Sequence, residues 1–485
     1  MTVLSSDTAA EAKLRLQCVA AEFTSRYPSR ERALAQPPTG STLKPVPGNY
    51  GFPVIGHIMS TIVEPLEFAR RRYDRYGPVS WAGGVGFRVV QLMGPQALET
   101  VWINRDKAFS STKGWAPVIG PFFHRGIMLL DFEEHRDHRR IMQQAFTRSA
   151  LDGYLDLMRP GIARTIANWP AAHRFPFCTS VKHLLLDQAA EVFVGAELGA
   201  ESDRLSADFH DTVCGGQAMI RADIPGGMWA RGLRARERLE RYFAAQLPAR
   251  RAGTGTDLFS MLCRSRSEDG DRFSDADIVN HMIFLLMAAH DTSAIAISML
   301  VYELGRNIRW QNVLRDEAQA DPRDHLTTAD LADAYPLLDA AFKEILRMYA
   351  PAGTLFRQAI KDTEVAGHYI PRKTQVAINV YASMRLADWW PEPDLFDPAR
   401  FLSGAGADAS AVHRYAFAPF GGGVHKCLGQ QFADMNVKAI MHQLLRRFQW
   451  HVPAGYRPRM TWGTGPTPAD GLPIALERLP CVGTR

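Results

Sequence analysis

The sequence predicts a mainly helical fold with a minor sheet component, and three features carry that expectation. From Pro65 to Ala350 apolar residues recur at helical spacing with short breaks. Within that stretch, Ile278 to Tyr302 is apolar nearly all round, as a helix running through the middle of a protein must be. Beyond Pro351 the pattern changes to alternation, in "TEVAGHYIPRKTQVAINVYA" with turn signals near Gly367 and Pro371, and in the tail from Pro453 to Leu479.

The 485 residues allow one large core, or two or three. A composition of 46% hydrophobic and 22% charged residues excludes collagenous and broadly disordered classes, and a net charge of +5 leaves no nucleic-acid footprint. The six cysteines (Cys18, Cys178, Cys214, Cys263, Cys427, Cys481) are scattered without a CxxC pair, which suits a reducing compartment. The start "MTVLSSDTAAEAKLRLQ" lacks a signal-peptide pattern, and no uninterrupted apolar run is long enough to span a bilayer, so the expected location is cytoplasmic. Residues before about Ala35 suit a basic amphipathic helix with Leu16, Ala20 and Phe23 on one face, solvated or packed. A turn-laden segment, Gln36 to His57, follows. The central helix has Ser274 as its N-cap and Asp277 at the capping-box position. Polar residues interrupt it at Asn280–His281 and again from His290 to Ser293, a cluster that a membrane span would not readily accept.

"FGGGVHKCLG", Phe420 to Gly429, has three readings: a phosphate cradle, a metal or cofactor thiolate, or a surface turn. The first needs Gly-Lys-Ser/Thr, and Lys426 is followed by Cys427 instead. A zinc site needs further ligands at short spacing, and only His425 is near. A lone Cys in a glycine turn is structural by default. The helical run that follows, "LGQQFADMNVKAIMHQLLRRF", puts Cys427 just before a helix N-terminus, where free N–H groups and the positive helix end favour a thiolate. The glycines let the backbone pass close to a flat face. One thiolate, a close planar approach and an open axial side describe haem iron held by Cys.

The loop resembles the haem-binding signature of the cytochrome P-450 superfamily, Phe-x-x-Gly-x-x-x-Cys-x-Gly, with Phe420, Gly423, Cys427 and Gly429 at the fixed places and His425 where a basic residue faces a haem propionate. Independent motifs follow the family order. "AFKEILRMYAP" holds Glu344-x-x-Arg347, and "FDPARF" supplies Arg400. Read alone, Glu344 and Arg347 are an exposed pair of small value; the resemblance implies a buried Glu–Arg–Arg network that locks the thiolate loop. "AAHDTS" resembles the oxygen-binding motif, in which Thr292 bonds back to the Ala288 carbonyl and Asp291 relays protons. "HRDHR" resembles the propionate-binding helix through His135 and Arg139, with Arg357 in a third propionate place. Each of these has a plain structural alternative, as core polar groups or solvated cations.

The resemblance implies a triangular helical prism with haem b between the central helix and the Cys loop, iron ligated by Cys427, and one domain over residues 45–485 behind an extension of residues 1–44. The implied activity is monooxygenation: one atom of O2 enters a C–H bond and the other leaves as water. Electrons are expected from a ferredoxin and its reductase, because the chain ends soon after the thiolate helix, and a basic surface with Arg136, Arg140 and Lys438 suits an acidic partner. Gly114 to Leu130 resembles the loop over the distal pocket. Trp115, Val118, Ile119, Phe122 and Phe123 are expected to line it, opposite Phe284, Leu285, Ala288, Ala289 and Leu355, walls that suit a sterol, terpenoid or fatty-acyl compound. A monomer without nucleic-acid partners is expected. Two departures stand out: Ala289 replaces the usual Gly and narrows the groove over the iron, and "GQQFADMNVK" is closer to members handling long lipids. The competing readings are a peroxygenase or peroxide-driven isomerase, and a haem-binding sensor or carrier; neither needs the Asp291–Thr292 relay.

Overall fold

Thirty-two residues, Asp275–Arg306, form the axis around which the other helices pack. The Ser274 hydroxyl accepts from the Asp277 N–H at 3.1 Å, the N-cap that the sequence predicts. Between Ile278 and Gly305 this central helix is buried except at Met287, Ala288, Ala289, Asp291 and Thr292. By length and mean composition alone it is long and apolar enough to cross a membrane, but the polar residues expected to interrupt it are present and most of it is buried inside the protein. The structure, a computed structural model, describes residues 16–480 apart from 197–198, 219, 322, 324–325, 403–412 and 464. Cys481 and the first fifteen residues of the expected extension lie outside the described residues.

Seven strands form the main sheet: β1 (Glu31–Ala33), β2 (Pro47–Asn49), β3 (Val79–Gly84), β4 (Phe87–Leu92), β5 (Phe109–Ser110), β6 (Thr354–Ala359) and β7 (Gln375–Asn379), in the order β1-β2-β3-β4-β7-β6-β5. Strand β7 runs parallel to β4, with Gln375 opposite Val89, and antiparallel to β6, with Val376 opposite Arg357. Strand β5 pairs with the far edge of β6, so Ser110 enters the next helix beside Gln358. Strand β1, inside the stretch expected as an extension, pairs with β2. The predicted hairpin is Thr363–Val365 with His368–Ile370, turning at Ala366 and Gly367.

The helix at residues 16–25 turns inward a stripe adjacent to the apolar face read from the sequence. Ala21 and Thr24 are buried, while Leu16 and Phe23 are exposed. Small residues let this helix sit close, and Phe23 and Tyr27 lean on Phe52 at 5.8 and 5.2 Å. Helices Ala200–Gly216 and Met228–Ala252 cross at two glycines. A Cβ on Gly232 would lie 2.7 Å from the Gly215 Cα, so only glycines permit that approach.

Within the core, His281 is fully buried and its Nε2 lies 2.8 Å from His138 Nδ1, with Phe273 edge-on to both rings. Burial first, then His138, holds His281 at about 3, against the opposing pull of Asp277. The unfolded chain therefore takes up this proton near pH 6.5 while the folded chain resists it, and stability falls as pH drops from 6.5 toward 3. His57 and His135, held at about 4, act in the same direction. Urea midpoints measured from pH 7 to pH 4 should decline, and His281→Phe should decline less steeply. Parallel slopes would show that His281 is not protonated selectively in the unfolded state.

Candidate functional site

The cysteine loop is closed by its own backbone. The Cys427 N–H donates to the Phe420 carbonyl at 2.9 Å, Lys426 N–H to Gly423 at 3.2 Å, and Gly421 N–H to Ala418 at 3.0 Å. Gly423 sits at φ +63°, and a Cβ there would lie 1.9 Å from the Trp102 carbonyl, so glycine is required. Trp102, at the end of helix Pro95–Ile103, forms the floor under Gly422 and Gly423, and no local sequence signal marks it. Helix Gln430–Arg447 begins immediately after, with Gly429 as its cap. Cys427 lies deep in the fold yet keeps accessible surface, which both hold if its sulfur faces an enclosed space. Burial pushes its thiol up; the Gly429 N–H, Arg139 and Lys426 pull down and do not compensate. The expected lowering by the helix end is therefore outweighed in the chain itself.

Beside the thiol, His135 and Arg139 rise one turn apart on helix Phe132–Gln143, and Arg357 projects from β6. The His135 and His425 rings lie 3.9 Å apart at 35°. Burial, then Arg139 and Arg357, holds His135 at about 4, and burial with the same arginines holds His425 well below its usual range. Burial also lowers Arg357 to about 10 and pulls Arg139 down. Asp131, the carboxylate acting on His135 and Arg357, is committed to the Ser110 hydroxyl and to the Ser111 N–H at 2.6 Å. His135 Nδ1 is buried with no hydrogen-bond partner among the described residues. Two guanidiniums and two imidazoles, one with an unpartnered buried nitrogen, beside the thiol are a donor set that fits a flat, doubly anionic group carrying a thiolate-binding metal.

The accessible window of the central helix carries the second half of the site. Thr292 Oγ1 donates to the Ala288 carbonyl at 2.7 Å. Asp291 Oδ1 lies 3.1 Å from His290 Nδ1 and 3.7 Å from Lys182 Nζ, and His290 Nε2 is 3.3 Å from the Lys182 carbonyl. Lys182 is a third exposed, so it joins Asp291 toward solvent. It sits more than a hundred residues away in sequence, on helix Phe177–Gln188, where nothing local marks it.

The segment expected as a loop over the pocket is a helix, Ser111–Phe123, despite Pro117 and Pro121. Ser110 caps it by accepting from the Lys113 N–H at 3.0 Å, and Asp131 ties down its first turn. Trp115 stands edge-on to Phe356 at 5.2 Å, and Val118 and Ile119 are partly buried on the same helix. Leu355 reaches within 3.6 Å of a Cβ position on Gly421 of the cysteine loop. Phe284 lies against Gly126, and Leu285 is buried beside it. Phe122 and Phe123 do not line open space. Both are fully buried, Phe122 between Gly215, Gly232 and Trp229 and Phe123 beside Gly216, because the glycine crossing leaves a slot that their rings fill.

Glu344 and Arg347 are fully buried and paired twice, at 2.7 and 2.8 Å. Arg400 Nε lies 3.4 Å from Glu344 Oε1, which also accepts from the Asp397 N–H at 3.0 Å. Arg347 donates further to the Met384, Pro393 and Leu395 carbonyls and lies 5.2 Å over the Trp390 ring. The expected basic surface is a different matter. Lys438 is buried between Asp339 (2.8 Å) and Asp434 (3.0 Å), Arg140 is paired with Asp137 and Asp269, and Arg136 with Glu133. A lone Lys on an apolar helix face folds inward when two carboxylates wait there. Lys426 is exposed on the cysteine loop.

The family profile described as Cytochrome P450 matches residues 45–464. Cytochrome P450 136 of Mycobacterium tuberculosis is 43% identical over 453 residues, covering 92% of this chain and 91% of that protein. Cytochrome P450 120 of Synechocystis is 26% identical, covering 91% of this chain and 99% of the other. Among solved structures, a retinoic acid-bound cyanobacterial cytochrome P450 superposes with a TM-score of 0.80 at 25% identity, over 90% of this chain and 100% of that one.

Removing one member of the Glu344 network strands a buried charge, at a cost of about 3–5 kcal/mol. Glu344→Ala and Arg347→Ala are expected to lose most of the folded yield, and any soluble fraction to unfold at much lower urea than wild type. A variant with a normal urea midpoint would assign the pair no structural role.

Proposed function

The chain belongs to the cytochrome P450 family of haem monooxygenases, and from that premise we propose that it inserts one oxygen atom of O2 into a C–H bond of a large hydrophobic substrate, with electrons from a ferredoxin and its reductase. The observation that carries the reading is the accessible turn from Met287 to Thr292 in an otherwise buried helix, where hydroxyl, carboxylate and ammonium stand in sequence. Haem, when bound, supplies the oxygen-activating chemistry, and a cysteine ligand favours O–O cleavage.

In this proposal Cys427 ligates the iron, and Arg139, Arg357, His135 and His425 hold the propionates. Burial and the arginines depress both imidazoles, and carboxylates placed next to them would oppose that depression and accept their N–H groups. Phe420, Gly423 and Gly429 shape the loop that presents the sulfur. Thr292 holds a proton at Oγ1 and directs it to the Ala288 carbonyl, which leaves the oxygen lone pairs to accept from a water. Asp291 resupplies the proton by exchange with Lys182 and His290, and Lys182 reaches solvent. Water reaches the chamber through this route while apolar side chains exclude it elsewhere. The methyl of Ala289 narrows the same turn.

Trp115, Val118, Ile119, Leu355 and Ala288 supply apolar wall with few polar anchors, which supports a sterol, terpenoid or fatty-acyl substrate. Retinoic acid, the ligand of the superposed cyanobacterial structure, is of that size and polarity. The exposed Lys426 beside the sulfur supports an acidic electron donor.

Two measurements test the reading. The reduced, carbon monoxide-treated protein should show the strongly red-shifted Soret band of thiolate ligation, and Cys427→Ser should lack it. Thr292→Ala should retain haem and ligand binding but divert most of the reductant into hydrogen peroxide instead of product, a loss of coupling of about 10²-fold or less if water substitutes for the hydroxyl. Supplying hydrogen peroxide directly should restore much of the variant's turnover. Unchanged coupling in Thr292→Ala would remove the proton-holding role, and peroxide-driven turnover without electron-driven turnover in wild type would favour a peroxygenase.

A further inference from the structure

A proline inside a helix removes the N–H that the carbonyl four residues back would accept. Helix Ser111–Phe123 contains Pro117 and Pro121, so the carbonyls of Lys113 and Pro117, both on exposed residues, lack their intrahelical donor and are open to water or to a side chain. Each takes a side-chain donor. Gln375 Nε2, on β7, donates to the Lys113 carbonyl at 3.3 Å. Arg221 donates from one Nη to the Pro117 carbonyl and from the other to the Val118 carbonyl at 3.1 Å.

Arg221 belongs to the connection between helices Ala200–Gly216 and Met228–Ala252. Its guanidinium lies 5.6 Å from the Trp229 ring centroid, and Trp229 meets Phe122 edge-on at 4.8 Å. A second arginine grips the same helix near its end: Arg236 donates to the Phe122 carbonyl. The two grips differ in kind. Arg236 is fully enclosed and also bound to Asn280, to Glu240 at 2.9 Å and to His124 at 3.1 Å. Arg221 is exposed and held by two backbone carbonyls and a ring face. Breaking the first strands a buried charge; breaking the second returns a guanidinium to water at small cost.

We infer that Arg221 is a positioning residue that latches the helix over the chamber to the connection between the two long helices, while Arg236 is the fixed pivot, so that release of Arg221 governs how fast a hydrophobic ligand enters and leaves. The inference rests on the reading of this enclosed space as the substrate chamber. Val118 and Ile119 follow directly on the latched carbonyls, so the latch also fixes where those side chains stand. The prolines are what make the latch possible, because a regular helix would already have used the Pro117 carbonyl.

The test uses the haem-loaded full chain, with 4-phenylimidazole as the probe because its arrival at the iron shifts the Soret band. In stopped flow, Arg221→Ala should raise both the association and the dissociation rate about tenfold, the order expected for losing a charged donor, and leave Kd within about twofold. Arg221→Lys, a single point donor, should fall between wild type and Ala. The urea midpoint of Arg221→Ala should match wild type, whereas that of Arg236→Ala should fall sharply. In the ligand-free protein, amides of Ser111–Phe123 should exchange hydrogen faster in Arg221→Ala. Unchanged binding rates together with unchanged exchange overturn the latch. Equally, a Kd weakened without any gain in association rate would make Arg221 a contact of the ligand and not a latch. If wild type shows no Soret response, the chamber reading fails, and the exchange measurement alone then decides whether Arg221 restrains the helix.

Discussion

The pairing of Glu344 with Arg347 is the constraint from which the rest of the site hangs. Two charges with no solvent contact are tolerable only if every lone pair and N–H is used, and here they are used on backbone groups of a distant segment. Arg347 fixes the carbonyls of Met384, Pro393 and Leu395, Glu344 fixes the Asp397 N–H, and Arg400 returns to the Glu392 carbonyl. The segment so fixed carries Trp390, whose indole donates to the Ala416 carbonyl at 3.3 Å and packs against Phe401 and Phe417. Ala418 then accepts from Gly421 and starts the cysteine loop. The sulfur is thus positioned by a relay of side-chain-to-backbone hydrogen bonds and ring packing that begins at one buried ion pair.

A second constraint is electrostatic. Arg139, Arg357, His135 and His425 share a region where burial lowers the pKa of all four, and the two arginines further depress both histidines. The histidines yield by staying neutral, whereas the arginines remain charged. Asp131 is near enough to act on His135 and Arg357 but spends its oxygens on Ser110 and Ser111, at the base of helix Ser111–Phe123. One carboxylate therefore links the cationic cluster to that helix, and a propionate-bearing group would complete the balance that Asp131 leaves open.

Much of this was legible in the sequence, for definable reasons. The central helix announces itself because burial on all sides demands apolar residues on all sides, and its cap and its polar turn are local in sequence. The cysteine loop and the Glu344–Arg347 pair are short-range patterns too. What was not legible is long-range. Lys182 meets Asp291, Trp102 lies under Gly423, and Arg221 meets Pro117 only through the fold. Lys438 and Phe122 show the converse error: residue type suggested a surface cation and a pocket wall, but partners on other elements drew the one into a buried ion pair and the other into a glycine slot. The segment from Gly114 was expected as a loop on resemblance alone; it is helical to Phe123, and the carbonyls its prolines leave without an intrahelical donor take side-chain donors from β7 and from the connection at Arg221.

That last point extends beyond one helix. Every backbone carbonyl in a buried helix must find a donor, and in most of this protein the helix supplies its own. Around the chamber the supply shifts to side chains. The Ala288 carbonyl is shared with the Thr292 hydroxyl, and the carbonyls of Lys113, Pro117 and Phe122 depend on Gln375, Arg221 and Arg236. A side-chain donor can rotate away where a backbone donor cannot without unwinding its helix. In the proposed reading, the turns that would admit a ligand, hold a proton and exclude bulk water are the turns whose hydrogen bonds are held by rotatable groups. Elsewhere, at Arg236 and Arg347, burial removes that freedom and the same type of donor becomes a fixed joint. Exposure of the donor, more than the number of its bonds, separates the contacts that a side chain can release at small cost from those that burial fixes.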